Sequence, residues 1–187
     1  MILSTWWAGV SHAAGATIVL DVKSGRVLSH DNAFHRWYPA SLTKVMTAYV
    51  AFRAIKAGQL TIKSPVRMSK NAAKEPPSKM GYKAGSVMTL DNALKMLIVK
   101  SANDVAVAIA ESVAGSEREF ANRMNREARR LGMTDTRFVN PNGLHNGGQY
   151  SNARDLAILA AAVRREFPEY DHYFELEAIK AGKKQLR

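Results

Sequence analysis

Ser41 and Lys44 stand three residues apart at the start of an apolar segment. On a helix, side chains at that spacing emerge from one face about a turn apart. The pair puts an amine within reach of a hydroxyl, which is the core of a lysine-activated serine nucleophile. For the amine to accept a proton near neutral pH, its pKa must fall from the solution value. Apolar surroundings and the positive end of the helix dipole both push it that way. The same helix start offers the Ser41 backbone N–H as a donor to a developing oxyanion. Taken alone, Ser-x-x-Lys also describes an ordinary helix N-cap.

A second group, Ser101-Ala102-Asn103, lies 60 residues after Ser41, between two segments of helical periodicity. A serine hydroxyl there can relay a proton to a leaving amine. The Asn103 amide can hold a substrate carbonyl while also touching Lys44. The triplet reads equally as a helix-breaking turn that caps the helix from Asp104.

Three blocks occur in order: Ala40-Ser41-Leu42-Thr43-Lys44-Val45-Met46-Thr47, Met96 through Asp104, and Leu131-Gly132-Met133 through Phe138-Val139-Asn140-Pro141-Asn142-Gly143-Leu144. Across most of residues 16–165 the chain thereby resembles the D-alanyl-D-alanine carboxypeptidase family, the low-molecular-mass penicillin-binding proteins. The resemblance implies an α+β fold of the DD-peptidase/β-lactamase transpeptidase type, with a helical subdomain and an antiparallel sheet, residues 14–187 forming the catalytic domain. It implies no cofactor and no metal. It further implies that Ser41 attacks the D-Ala-D-Ala bond of a peptidoglycan stem peptide, D-Ala leaves, and water releases the acyl-enzyme. Lys44 would be general base, Ser101 part of the proton relay and Asn103 the substrate-orienting amide. β-Lactams would acylate Ser41 as mimics of that peptide.

The family's third motif, Lys-Thr-Gly, is absent. Lys23-Ser24-Gly25 precedes the nucleophile, Lys56-Ala57-Gly58 ends its helix, and Lys180-Ala181-Gly182 reads as a surface turn. In the family that strand supplies a second oxyanion N–H and a cation for the substrate carboxylate, and loss of one oxyanion donor costs about 10² to 10³ in rate. The expectation is a family member truncated before the motif, its sheet incomplete and its activity lowered. The alternative is a catalytically inert homologue that binds peptidoglycan or penicillin. No glutamate stands at the spacing of a class A β-lactamase's deacylating residue.

The elements that must position these residues follow from periodicity and punctuation. Residues 17–22 and 26–30 are β-prone runs joined by Lys23-Ser24-Gly25, a hairpin that must pack on helices. Residues 41–57 form a helix apolar nearly all round, hence buried, with Gly58 as its stop. Residues 59–88, rich in Pro and Gly, read as mostly irregular. Helices follow over 90–99 and 104–114. Another opens at the capping box Ser116-Glu117-Arg118-Glu119 and ends at Gly132. Its Arg123, Arg126, Arg129 and Arg130 interleave with acids as on a solvated face. Asn140-Pro141-Asn142-Gly143 is loop chemistry, and Ser151 or Asn152 caps a last helix running to Pro168. The tail, 173–187, suits a hairpin turning at Ala181-Gly182.

The chain has 187 residues, enough for one domain with a substantial core, and its 47% hydrophobic and 23% charged composition is globular. Its 27 Lys and Arg against 16 Asp and Glu give a net charge of +11, which favours anionic partners. Helix-turn-helix spacing and Cys/His pairs are lacking, so the charge points to peripheral contact with an anionic cell envelope and away from nucleic acid. With no Cys there is neither a disulfide nor a thiolate nucleophile, and His30, His35, His145 and His172 have no metal-ligand spacing. The apolar run Ile2 to Val10, ending in Ser11-His12-Ala13, suits a signal-peptide remnant over 1–13 and a periplasmic or envelope location. No Lys or Arg precedes the run, and a buried first strand or helix is the other reading.

Overall fold

The computed structural model describes residues 15–181 and 184–186, with side chains over 15–179. The proposed signal remnant, 1–13, lies outside the described residues.

The centre of the molecule is α1 (Thr43–Lys56), which buries Met46, Tyr49, Val50 and Phe52 along with its small residues. Few of its positions face water, as the all-round apolar pattern requires. It ends where Gly58 takes a φ of +70°. Around it pack α3 (Leu90–Val99), α4 (Asn103–Ala114), α5 (Glu117–Leu131) and α6 (Ala153–Glu166). Side-chain oxygens cap three of these helices: Thr89 receives the Asn92 N–H, Ser116 the Glu119 N–H and Asn152 the Asp155 N–H. Each cap satisfies a donor that the first helical turn cannot pair internally. Gly115 and Gly132 end α4 and α5 in the left-handed conformation that a Cβ disfavours. α4 is buried at every position from Asn103 to Ala110, and it touches α1, α2 (Lys70–Ala73), α3, α5 and β3 (Pro65–Arg67).

The hairpin expected at the N-terminal end is present, with β1 (Thr17–Leu20) antiparallel to β2 (Val27–Asp31). It lies against α6. Its outer surface stays open, with Val19, Val27 and Leu28 about half exposed. After α6 the chain makes a 3-10 segment, Pro168–Glu175, that brings Tyr170 and Tyr173 onto Phe52 and Phe167 in one aromatic cluster. A short hairpin follows, β5 (Ile179–Ala181) with β6 (Lys184–Leu186). The expected tail hairpin therefore begins later than residue 173.

Residues 59–88 are mostly irregular, as expected, but they also carry short elements that the sequence did not reveal: β3 pairs with β4 (Val87–Thr89) and Ser69 caps α2. Strands this short have too few residues to show a period. One expectation needs correction: Ser41 sits on a 3-10 turn, Ala40–Leu42, that leads into α1, not within the α-helix itself.

Candidate active site

Ser41 is exposed on that turn, and the residue before it, Ala40, has a φ of +47°. The Ser41 N–H donates to no backbone acceptor among the described residues, which leaves it free to meet an oxyanion.

One turn into the helix the environment reverses. Lys44 is only 4% exposed. Its Nζ donates to Asn103 Oδ1 at 2.9 Å and to the Asn142 carbonyl oxygen at 2.6 Å. Burial drives its pKa down from the ordinary lysine value to about 8. Desolvation is the cause. A neutral amine has two hydrogens and one lone pair. The two acceptors engage both hydrogens and leave the lone pair for a third partner, on the side of the helix that Ser41 shares.

Asn103 is the first residue of α4 and is nearly buried. Its backbone N–H donates to the Ser78 carbonyl at 2.7 Å, and its Nδ2 to the Pro76 carbonyl at 3.0 Å. Nδ2 carries a second hydrogen that can meet a substrate carbonyl. Ser101 lies in the joint between α3 and α4, half-buried, with a φ of +53°. That conformation is uncommon for serine. Three of the four expected residues, Ser41, Lys44 and Asn103, are thus joined by the 3-10 turn that leads into α1 and by the Lys44–Asn103 hydrogen bond. Ser101 is placed two residues from Asn103, and no hydrogen bond ties its hydroxyl to Ser41 or Lys44 in this structure.

The sequence reading passed over a third wall. In the sequence Asn142 is loop chemistry within a family-like block, yet its backbone carbonyl holds Lys44. The loop around it is fixed at several points. Thr47 Oγ1 donates to the Pro141 carbonyl at 2.6 Å, Gly143 N–H to Asn140 Oδ1 at 2.8 Å, and Leu144 N–H to Asn142 Oδ1 at 3.0 Å. Gln149 Oε1 accepts from the Val139 and Asn140 N–H groups, and its Nε2 reaches Thr43 Oγ1 at 3.3 Å. Contacts made through a backbone carbonyl have no side-chain signature, so only the turn-forming residues themselves were visible in the sequence.

The segment after α2 closes the opposite side. Asp104, fully buried, accepts from the Met80 N–H at 3.0 Å and the Gly81 N–H at 2.9 Å. Glu75 Oε2 accepts from Asn142 Nδ2 at 2.8 Å. Tyr82 packs against the core, and Arg154 donates to the Gly132 carbonyl and to Asp155. Among the described residues there is no group of His, Cys, Asp and Glu that could hold a metal, and no helix long and apolar enough to cross a membrane.

The family described as D-alanyl-D-alanine carboxypeptidase matches residues 5–185. The chain belongs to the D-alanyl-D-alanine carboxypeptidase family. Among curated members of this carboxypeptidase family, D-alanyl-D-alanine carboxypeptidase DacF of Bacillus subtilis is 38% identical over 151 residues, 81% of this chain and 39% of that protein. Penicillin-binding protein 6B of Escherichia coli superposes with a TM-score of 0.88 at 35% identity, over 93% of this chain and 57% of that one. Penicillin-binding protein D2 of Listeria monocytogenes, solved in a cefotaxime-bound form, superposes with a TM-score of 0.80 at 26% identity, over 92% of this chain and 71% of that one. The DD-peptidase fold expected from the sequence is the fold observed. The chain spans about two-fifths of the length of the curated carboxypeptidase it matches.

Proposed function

We propose that this chain carries the nucleophile-bearing part of a serine-type D-Ala-D-Ala carboxypeptidase, with residues 14–187 as its share of the catalytic domain. Ser41 Oγ attacks the carbonyl carbon of the penultimate D-Ala of a peptidoglycan stem peptide, and its proton passes to the neutral amine of Lys44. The C–N bond breaks, D-Ala departs as an amine protonated by way of Lys44 and Ser101, and the stem peptide stays as an ester on Ser41. Water then hydrolyses that ester. The Ser41 N–H meets the oxyanion, and the remaining Nδ2 hydrogen of Asn103 orients the substrate amide.

The observation that carries this reading is the state of Lys44. It is buried with a pKa of about 8, and its two hydrogens are engaged by Asn103 and Asn142. A general base works best when its pKa lies near the operating pH. A lysine serving only as a helix-cap neighbour would gain nothing from a buried amine.

β-Lactams fit the same reading, since their acyl carbon would meet the same Ser41 nucleophile and Lys44 base, and the related penicillin-binding protein D2 was solved in a cefotaxime-bound form. An envelope location goes with the substrate. Residues 1–13 would be the remnant of an export signal, and the net charge of +11 would favour peripheral contact with anionic envelope components.

Fluorescent penicillin tests the proposal. Covalent label on the folded protein that disappears in Ser41→Ala is the expected result. Absence of label in folded protein sinks it and leaves the inert homologue. Label without release of D-Ala from a D-Ala-D-Ala peptide would restrict the chain to penicillin binding.

A further inference from the structure

Lys44 has two acceptors, and both are tied to one dipeptide that lies outside the three sequence blocks. Asn142, which offers its carbonyl, is held by Glu75: Asn142 Nδ2 donates to Glu75 Oε2 at 2.8 Å. Asn103, which offers Oδ1, is held by the next residue: Asn103 Nδ2 donates to the Pro76 carbonyl at 3.0 Å. We infer that Glu75 is a positioning residue for the catalytic lysine, acting through the Asn142 side chain to keep the 140–143 loop closed over the Lys44 amine.

This inference rests on the carboxypeptidase reading above, because only there does the placement of the amine matter for turnover. The geometry behind it stands by itself. The Asn142 peptide carbonyl is aimed at Lys44 by two restraints, one on each side. Gly143 N–H, part of the same peptide unit, is fixed to Asn140 Oδ1 at 2.8 Å. The Asn142 side chain is oriented by Leu144 N–H on its oxygen and by Glu75 on its nitrogen. The bonds from Thr47 and Gln149 secure Pro141 and Asn140, so Glu75 is what fastens the loop to the far wall of the cleft.

The surroundings show that Glu75 is not merely a solvated surface acid. Burial pushes its pKa up, the nearby Glu117 and Asp104 push the same way, and Lys79 and the Asn142 bond oppose them. A half-buried carboxylate near two others is costly unless a donor meets it, and Asn142 Nδ2 is that donor.

Because Lys44 is depressed by burial, a loop that lifts admits water and lets the amine return toward the ordinary lysine value of 10.5. The Lys44 titration can be read without any substrate, by competitive acetylation with acetic anhydride across a pH series and mass spectrometry of the peptide containing Lys44. In Glu75→Ala the midpoint should rise by about one pH unit or more, a tenfold drop in neutral amine at fixed pH. In Glu75→Gln, whose amide oxygen accepts the same hydrogen bond, it should stay near the unsubstituted value. An unshifted midpoint in folded Glu75→Ala overturns the inference.

Should Glu75→Ala not fold, Glu75→Gln and Glu75→Asp decide between them. Positioning requires Gln to stay closer to the unsubstituted protein than Asp, which keeps the charge but is one methylene shorter. The reverse order makes charge the determinant and overturns the inference as well. Penicillin labelling of the unsubstituted protein, run alongside, reports separately on the carboxypeptidase reading, so each can fail without the other.

Discussion

Gly143 approaches Ala40 so closely that a Cβ on Gly143 would stand 1.9 Å from the Ala40 carbonyl oxygen and 3.2 Å from the Ser41 backbone nitrogen. Gly143 also holds a φ of +83°. The loop that presents a carbonyl to Lys44 thus also presses on the turn that carries Ser41. One loop therefore borders both Ser41 and Lys44.

Gly143→Ala should therefore be damaging on two counts, a left-handed alanine and an overlap with backbone that cannot swing aside. A loss of about 2–4 kcal/mol is expected, read as a lower thermal midpoint, with penicillin acylation slowed by more than the fall in stability explains. An alanine variant with unchanged stability would contradict the close approach.

The pH dependence follows from Lys44. Its folded pKa of about 8 lies below the ordinary 10.5, so the folded state binds the proton less tightly than the unfolded one. Below about 8 both states are protonated and this group contributes no slope. Between about 8 and 10.5 only the unfolded state holds the proton, and stability from this group rises with pH. Penicillin acylation should climb with pH and reach half its plateau near 8, as the neutral amine forms. In Lys44→Met, acylation should be lost, and the urea midpoint should lack that rise between about 8 and 10.5.

Asp104 tests the anchoring of the 75–81 segment. It is fully buried and accepts from the Met80, Gly81 and Val105 N–H groups. Asp104→Ala strands those donors, at a cost of about 2–4 kcal/mol. Chemical denaturation reads the loss, and a cost under about 1 kcal/mol would mean that water replaces the carboxylate without difficulty.

The helices were legible where an apolar stripe ran for ten or more residues between recognisable caps. α3 begins and ends where Leu90 and Val99 predicted, and α5 opens at Ser116 and closes at Gly132. β3 and β4 were not legible, because each has three residues and its partner lies some twenty residues away. At the candidate site, Ser41, Lys44, Ser101 and Asn103 stand out in the sequence because their side-chain chemistry is the signal, and the structure ties Lys44 to Asn103. Asn142 acts through a backbone carbonyl and Glu75 through a second residue, and neither role leaves a pattern in residue types. Burial of Lys44 was expected from the apolar helix, but its depth depends on a loop nearly a hundred residues away.

The placement of Asn103 has one more consequence. It begins α4, the helix packed against α1, α2, α3, α5 and β3. Amides deep in such a hub exchange with solvent only when the whole molecule opens, whereas short elements can open alone. Residues 103–110 should be the last to take up deuterium. The 75–81 segment, held to α4 by Asp104 and Asn103, should exchange earlier, so the cleft has one wall that outlasts partial unfolding and one that can breathe within the native state.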